Sequence, residues 1–212
     1  MTTVRRRRTK RAERSEETRQ ALLTAAALVV GRYGYAEASI ARITQEAKIA
    51  HGTFYNYFES RQDLFDQLLP AMGRRLLEYV TERVAGCQNQ REREELRFLA
   101  YFEFLQHNPE FYRILNEAEV FTPEVHRSHV ESFSEGYVRA LHRAWEQDEL
   151  EDFDEDELEP LAYILLAARS YLSLRYIGGG SRATTVPAKV FSAYRKLIRS
   201  GLFKDDEEKE PG

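Results

Sequence analysis

The residues that could do chemistry gather near the N-terminus, and the chemistry they suit is phosphate binding. Arg5–Arg8, Lys10, Arg11 and Arg14 form a basic run, and Arg42, Lys48, His51 and Arg61 follow soon after. Residues 1–61 hold 12 Lys/Arg against 6 Asp/Glu, whereas residues 62–212 hold 19 against 29. The overall charge of −4 is therefore a basic head of +6 on an acidic body of −10. That balance suits a chain of which one end touches nucleic acid, although a solvated basic tail gives the same count. Within the head, Gly52 lacks a side chain and would let a helix start close to a DNA backbone, its amides facing a phosphate. Phe54 and Phe58, four apart, share an inward face and leave Thr53, Tyr55, Asn56 and Tyr57 more outward. His51 can donate to a phosphate when protonated.

The elements that must position these residues are helices. Pro and Gly are scarce, at 6 and 11, strand-like alternation is absent, and apolar residues recur at three- and four-residue spacing. Ser15 can cap a first helix carrying Leu22, Ala26, Val29 and Tyr33 on one face and ending at Gly34. Ser39 caps a short second helix, Ile40–Ala47, and a third, Gly52–Phe58, follows after a tight turn. Ser60-Arg61-Gln62-Asp63 reads as the cap of a long fourth helix to about Val84, in which Pro70 should kink the chain or remove a hydrogen bond. Further helices are expected at about 91–107, 109–120, 123–148, 157–177 and 187–201, with Pro109, Pro123, Pro160 and Pro187 near their starts.

Two short helices joined by a tight turn suggest helix-turn-helix geometry, and the residues themselves sharpen it. Gly52-Thr53-Phe54-Tyr55-Asn56-Tyr57-Phe58, followed by Ser60-Arg61-Gln62-Asp63-Leu64, resembles the tetracycline-repressor (TetR) family of bacterial regulators. Leu22-Leu23, Ala25-Ala26 and Gly34-Tyr35 match the same family's first helix and its end. The resemblance covers roughly residues 17–69. It implies that Thr53 and Tyr55 point into the major groove or onto its bordering phosphates, and that Tyr57 and Arg61 touch phosphate. Arg42, and with it Ser39 and Thr44, takes a position that often reaches the DNA backbone or a base; a solvated Arg42 is the alternative. Asn56 completes the expected set. Lys48 replaces a glycine common in the turn, so it either strains that turn or is itself a phosphate contact. Val30 and Thr44 also depart from the usual core residues.

The expected architecture is all-α: a basic arm without fixed structure (1–14), a three-helix helix-turn-helix head (15–62), a ligand-binding and dimerisation body (63–203, with 63–86 as connecting helix), and an unstructured acidic tail (204–212). The resemblance implies a homodimer whose two heads read a palindromic operator in double-stranded DNA, with grooves about 34–36 Å apart. Leu161–Ala168 is apolar nearly all round, and Tyr163, Leu166, Ala167, Phe191 and Tyr194 are the dimer candidates; a core within one chain is the alternative. Residues 98–145 are rich in aromatics, most of them ordinary core. Phe102, Tyr112, Phe133 and Tyr137 are candidates to line an effector site, with Arg169 as a possible anchor for an anionic group. Arg175 is a second anchor candidate, and for both arginines a solvated position is the alternative.

Several function classes are not suggested. There is no phosphate loop, nucleophile elbow or paired-carboxylate constellation, so no catalytic residue, cofactor or enzyme activity is expected. His126 and His129 lie three apart, but no further residue completes a metal-ligand spacing. Glu146–Glu159 holds ten acids and no base, a solvated stretch that would keep the body off DNA. One cysteine, Cys87, fits a reducing compartment, and with no secretory pattern or membrane-length apolar run the expected location is cytoplasmic, without membrane contact. The expected function is sequence-specific transcriptional regulation, with repression relieved by a small, largely apolar effector. An activator or ligand-independent regulator of the same fold, or a helical adaptor that binds no DNA, are the alternatives.

Overall fold

The computed structural model describes residues 2–150, 153–177 and 186–200. Among them the regular elements are all helical: α1 (Thr2–Glu37), α2 (Ile40–Ala47), α3 (His51–Phe54), α4 (Arg61–Val84), α5 (Gln90–His107), α6 (Glu110–Phe121), α7 (Pro123–Glu146), a short 3-10 turn (Glu155–Glu157), α8 (Leu158–Tyr176) and α9 (Ala188–Ser200). The expected acidic tail at 204–212 lies outside the described residues. No described helix is long and apolar enough to cross a membrane.

Local sequence explains most boundaries. Gly34 adopts φ 81°, ψ 166°, and breaks the regular helix of α1 where a residue with a Cβ would be strained. The Ser39 hydroxyl accepts the Arg42 N–H at 3.3 Å and caps α2. At the start of α4 the Ser60 hydroxyl accepts the Asp63 N–H, and the Asp63 carboxylate reaches back to the Glu59 N–H at 2.9 Å. Pro70 lies inside α4, which nonetheless runs as one helix.

Three expectations need correction. Helix α1 begins at Thr2, so residues 2–14 are helical rather than an unstructured arm, and Ser15 caps nothing. The stretch holds no Pro or Gly, and Arg, a good helix former, makes up six of its thirteen residues. The third helix is shorter than expected, and Tyr55–Tyr57 form a turn after Phe54, held by Asn56 N–H to Thr53 O (3.1 Å) and Tyr57 N–H to Phe54 O (3.0 Å). Such i→i+3 bonds tighten the backbone where Tyr and Asn support a helix poorly. Tyr33, placed on the buried face by periodicity, is 49% exposed, and Tyr35 beyond the Gly34 break is buried instead.

The chain divides into two compact units: Met1–Leu77 with His107–Gly136, and Glu78–Gln106 with Tyr137–Gly212. The first unit is thus larger than the head expected at 15–62. Its core joins Leu22, Ala26, Val30, Ile43, Phe54, Phe58, Leu64, Phe65 and Leu68, all buried. Phe54 and Phe58 take the inward face, as their spacing implied. In the second unit Phe98, Phe102, Phe104, Leu105, Ala162 and Leu165 are buried.

Candidate nucleic-acid interface and effector residues

The turn from α2 to α3 shapes the exposed tip of the head. Lys48 takes the left-handed conformation, φ 56°, ψ 40°, and its N–H closes the end of α2 by bonding back to Gln45 and Thr44 carbonyls. The chain then reverses into α3 within three residues. Lys48, His51, Gly52, Tyr55 and Asn56 are exposed, Tyr55 by 55%, while Thr53 and Tyr57 are half-buried. The His51 and Tyr55 rings meet edge to face with centroids 6.0 Å apart, so the cation-capable ring and the phenol share one face. Among the described residues no heavy atom lies within 4 Å of where a Cβ on Gly52 would sit. Packing inside this chain therefore does not require a glycine there.

The other expected contacts are engaged within the head. Ser39 spends its hydroxyl on the cap of α2. The Arg42 guanidinium donates to the Glu37 carbonyl at 2.8 Å and lies 4.8 Å over the Tyr33 ring, exposed but tethered. Arg61 donates to the carbonyls of Tyr35 (2.8 Å) and Ala36 (3.3 Å) and sits over the Phe65 ring, joining the start of α4 to the end of α1. Thr44 is buried, its hydroxyl bonded to the Ile40 carbonyl of its own helix, so it presents nothing to a ligand. The side chains that remain presented outward are Lys48, His51, Tyr55 and Asn56, with Thr53 and Tyr57 at their margin.

The five effector candidates fall in different units. Tyr112 and Phe133 are half-buried in the first unit. There the Phe133 ring lies 4.5 Å from the ring of His129, which burial, reinforced by His126, holds down at a pKa of about 4. Phe102, Tyr137 and Arg169 belong to the second unit. Phe102 is buried against Phe98 and Tyr101. Arg169 is 5% exposed, which rules out the solvated position. Its guanidinium pairs with Glu94 at 2.6 Å, donates to the Tyr137 hydroxyl at 3.0 Å and to the Leu165 carbonyl at 2.7 Å. Glu94 also accepts from Tyr137 and from Tyr194. One buried carboxylate on α5 thus ties together α7, α8 and α9, and burial raises both phenols, Arg169 opposing and Glu94 reinforcing. Sequence spacing gave no sign of Glu94, since its partner stands 75 residues away. A cleft of about 520 Å³ in the same unit is lined by Trp145, from the aromatic-rich stretch, with Asp148, Leu150, Phe153 and Asp154, none of them among the five effector candidates. Among the described residues no group of three or more His, Cys, Asp or Glu could hold a metal.

The dimer candidates separate by exposure. Tyr163 (46%) and Ala167 are exposed and Leu166 half-buried. With Ile164 (64%), Tyr171 (74%) and Leu174 (52%) they make α8 the carrier of a large apolar surface. Phe191 is half-buried under the Arg195 guanidinium. Tyr194 is a correction: it is buried in its own unit, stacked on Phe98 at 3.7 Å and hydrogen-bonded to Glu94.

Comparison with known proteins gives three findings. Residues 22–68 match the family model described as bacterial regulatory proteins, tetR family. A curated relative, the HTH-type transcriptional activator FasR of Mycolicibacterium smegmatis, is 28% identical over 120 residues, 56% of this chain. The match spans only about half, 54%, of that relative's length. Among solved structures, the transcriptional regulator FadR of Bacillus subtilis, in complex with stearoyl-CoA, superposes with a TM-score of 0.72 at 17% identity, covering 87% of this chain and 99% of that one. The fatty acid degradation regulator FadR of Bacillus halodurans gives 0.68 at 16% identity, covering 87% and 95%. At these identities the structural likeness establishes the fold.

Proposed function

We propose that this chain, whose residues 22–68 match the family model of bacterial regulatory proteins of the tetR family, is a sequence-specific DNA-binding transcriptional regulator. It acts as a homodimer, apposing the exposed face of α8 with part of α9, and reads an inverted repeat with Lys48, His51, Thr53, Tyr55, Asn56 and Tyr57. The observation that carries this reading is Gly52: the chain itself leaves the space above it open, so its bareness serves an approach from outside. Arg61 and Arg42 support the interface from behind, since their guanidiniums are held on backbone carbonyls. The positively charged run on α1, Arg5–Arg14, adds affinity without specificity through counterion release.

The effector we infer is a long-chain acyl thioester. Support comes from two fold relatives, one described as a fatty acid degradation regulator and the other solved in complex with stearoyl-CoA. Repression relieved by that ligand is the first reading. Activation is the second, favoured by the FasR relative, a transcriptional activator. Selection of bound duplexes from a random pool at near-physiological salt tests the DNA reading. An inverted repeat supports dimeric recognition, whereas retention without a shared sequence leaves a basic head that coats DNA. No retention by folded protein would sink the proposal. Titrating stearoyl-CoA into the recovered complex then reports release, tightening or no effect.

A further inference from the structure

The turn that follows α7 builds the cleft of about 520 Å³ lined by Trp145, Asp148, Leu150, Phe153 and Asp154. Its walls are held by hydrogen bonds within the chain. Asp148 takes the left-handed conformation, φ 57°, and the end of α7 is closed by two backbone bonds, Asp148 N–H to Trp145 O (3.0 Å) and Glu149 N–H to Ala144 O (2.9 Å). The Glu149 carboxylate accepts the Gln90 N–H and pins the turn to the start of α5. Across the cleft the Trp145 indole N–H donates to the Phe153 carbonyl at 2.9 Å. Asp154 is fixed by a capping box with Glu157, and His142 lies 3.0 Å from Glu155 and 3.5 Å from Glu146, tying the 3-10 turn to α7.

This frame presents two aromatic rings and two carboxylates. Trp145 and Phe153 are 36% and 40% exposed. The indole N–H is already bonded, so what Trp145 offers the cleft is ring surface. Residues 146–159 hold ten acids and no base, so the stretch supplies no counter-charge of its own for Asp148 or Asp154. The C-terminal end of the α7 dipole adds to the same sign. A metal ion does not suit the cleft, because among the described residues no group of three or more His, Cys, Asp or Glu could hold one. An anionic ligand such as an acyl thioester of CoA does not suit it either, since the surrounding acids repel phosphate. Ring surface beside carboxylates attracts an ammonium group that carries carbon, through the ring quadrupole and the charge together. The volume falls in the range of small-molecule sites.

We propose that the cleft at the C-terminal end of α7 binds a small organic ammonium cation, with Trp145 and Phe153 against its alkyl groups and Asp148 and Asp154 as its counter-charges. The site depends neither on DNA binding nor on an acyl effector. Trp145 is the only tryptophan in the chain, so its emission and its single indole N–H resonance both report on the cleft. The experiment titrates choline into the full chain at constant ionic strength set with sodium chloride. It is repeated with the uncharged isostere in which carbon replaces the ammonium nitrogen. Choline should move the indole signals saturably in the millimolar range, and bind roughly tenfold more tightly than the isostere. Asp148→Asn and Asp154→Asn should each weaken choline by roughly threefold and leave the isostere unchanged. Asparagine suits both backbones, since it tolerates the left-handed region and caps a helix as aspartate does. Phe153→Leu should weaken choline by roughly fivefold, and the two asparagine variants decide the matter if it does not fold. Equal binding of choline and its isostere would overturn the proposal, as would asparagine variants that bind choline like the wild type. So would a wild type in which choline moves neither the emission nor the indole resonance saturably.

Discussion

Lys48 separates two quantities that usually change together, head stability and DNA affinity. It sits at the end of α2 with φ 56°, ψ 40°, where a residue bearing a Cβ is strained by about 1 kcal/mol relative to glycine. Its capping hydrogen bonds run from the backbone N–H and so survive any substitution except proline. Lys48→Gly should therefore stabilise the protein by about 1 kcal/mol, read as a higher urea midpoint at unchanged slope. The same change removes an exposed ammonium at the tip. If it meets phosphate, the slope of log affinity against log salt becomes shallower by about 0.9 per site, about 1.8 for a dimer on its operator. Lys48→Ala is the control. It retains the left-handed strain, so stability should stay near the wild type's while the salt slope falls as in the glycine variant. A Lys48→Gly protein less stable than the wild type would refute the strain argument. A more stable one with the wild-type salt slope would remove Lys48 from the interface.

Gly52→Ala should leave the urea midpoint unchanged or slightly raised, since the site is open and alanine favours helix, yet weaken operator binding roughly tenfold; unaltered binding would contradict the close approach. Glu94→Gln should cost about 3–5 kcal/mol of stability in urea, because the Arg169 guanidinium would stay buried without its counter-charge; a loss under about 1 kcal/mol would show the pair to be dispensable. For His129 the folded pKa of about 4 lies below the ordinary 6.5, so the unfolded chain takes the proton first. Its contribution to stability is whole above pH 6.5 and falls by up to ~3 kcal/mol on the way to pH 4. The stability difference between wild type and His129→Gln, followed across that window, should shift accordingly, and a pH-independent difference would refute the assignment.

The head was readable because local rules and tertiary demands agree there. Ser39, Ser60 with Asp63, and Gly34 each mark a helix end by a mechanism confined to a few residues, and each does so in the structure. The misread parts follow from the same locality. The Arg-rich start carries no apolar period, yet its residues favour helix by propensity alone, and α1 continues through it. Tyr55–Tyr57 keep the 3.6-residue phase of a helix while their backbone tightens into a turn. For Arg61, which the family resemblance implies as a phosphate contact, only the path of α1 shows the Tyr35 and Ala36 carbonyls that also hold its guanidinium.

In the body the difficulty is that an apolar helix face does not declare what it meets. Arg169 on α8 and Tyr194 on α9 sit among residues of similar hydropathy to Tyr163 and Leu174, yet the first two are buried and the latter exposed. What sorts them is Glu94, a carboxylate on a charged stretch of α5 that reads as solvent-facing and is instead 7% exposed. A buried acid with three strong donors fixes which side of α8 and α9 turns inward, because rotating either helix would strand a charge or a hydroxyl. The opposite side of α8, carrying Tyr163, Ile164, Tyr171 and Leu174, is then left outward by elimination. Its exposure follows from the polar network rather than from any periodicity in its own residues. Gly31 inside α1 has its reason only in the tertiary structure. A glycine inside a helix costs about 1 kcal/mol against alanine, and that cost is met here by the close approach of α6.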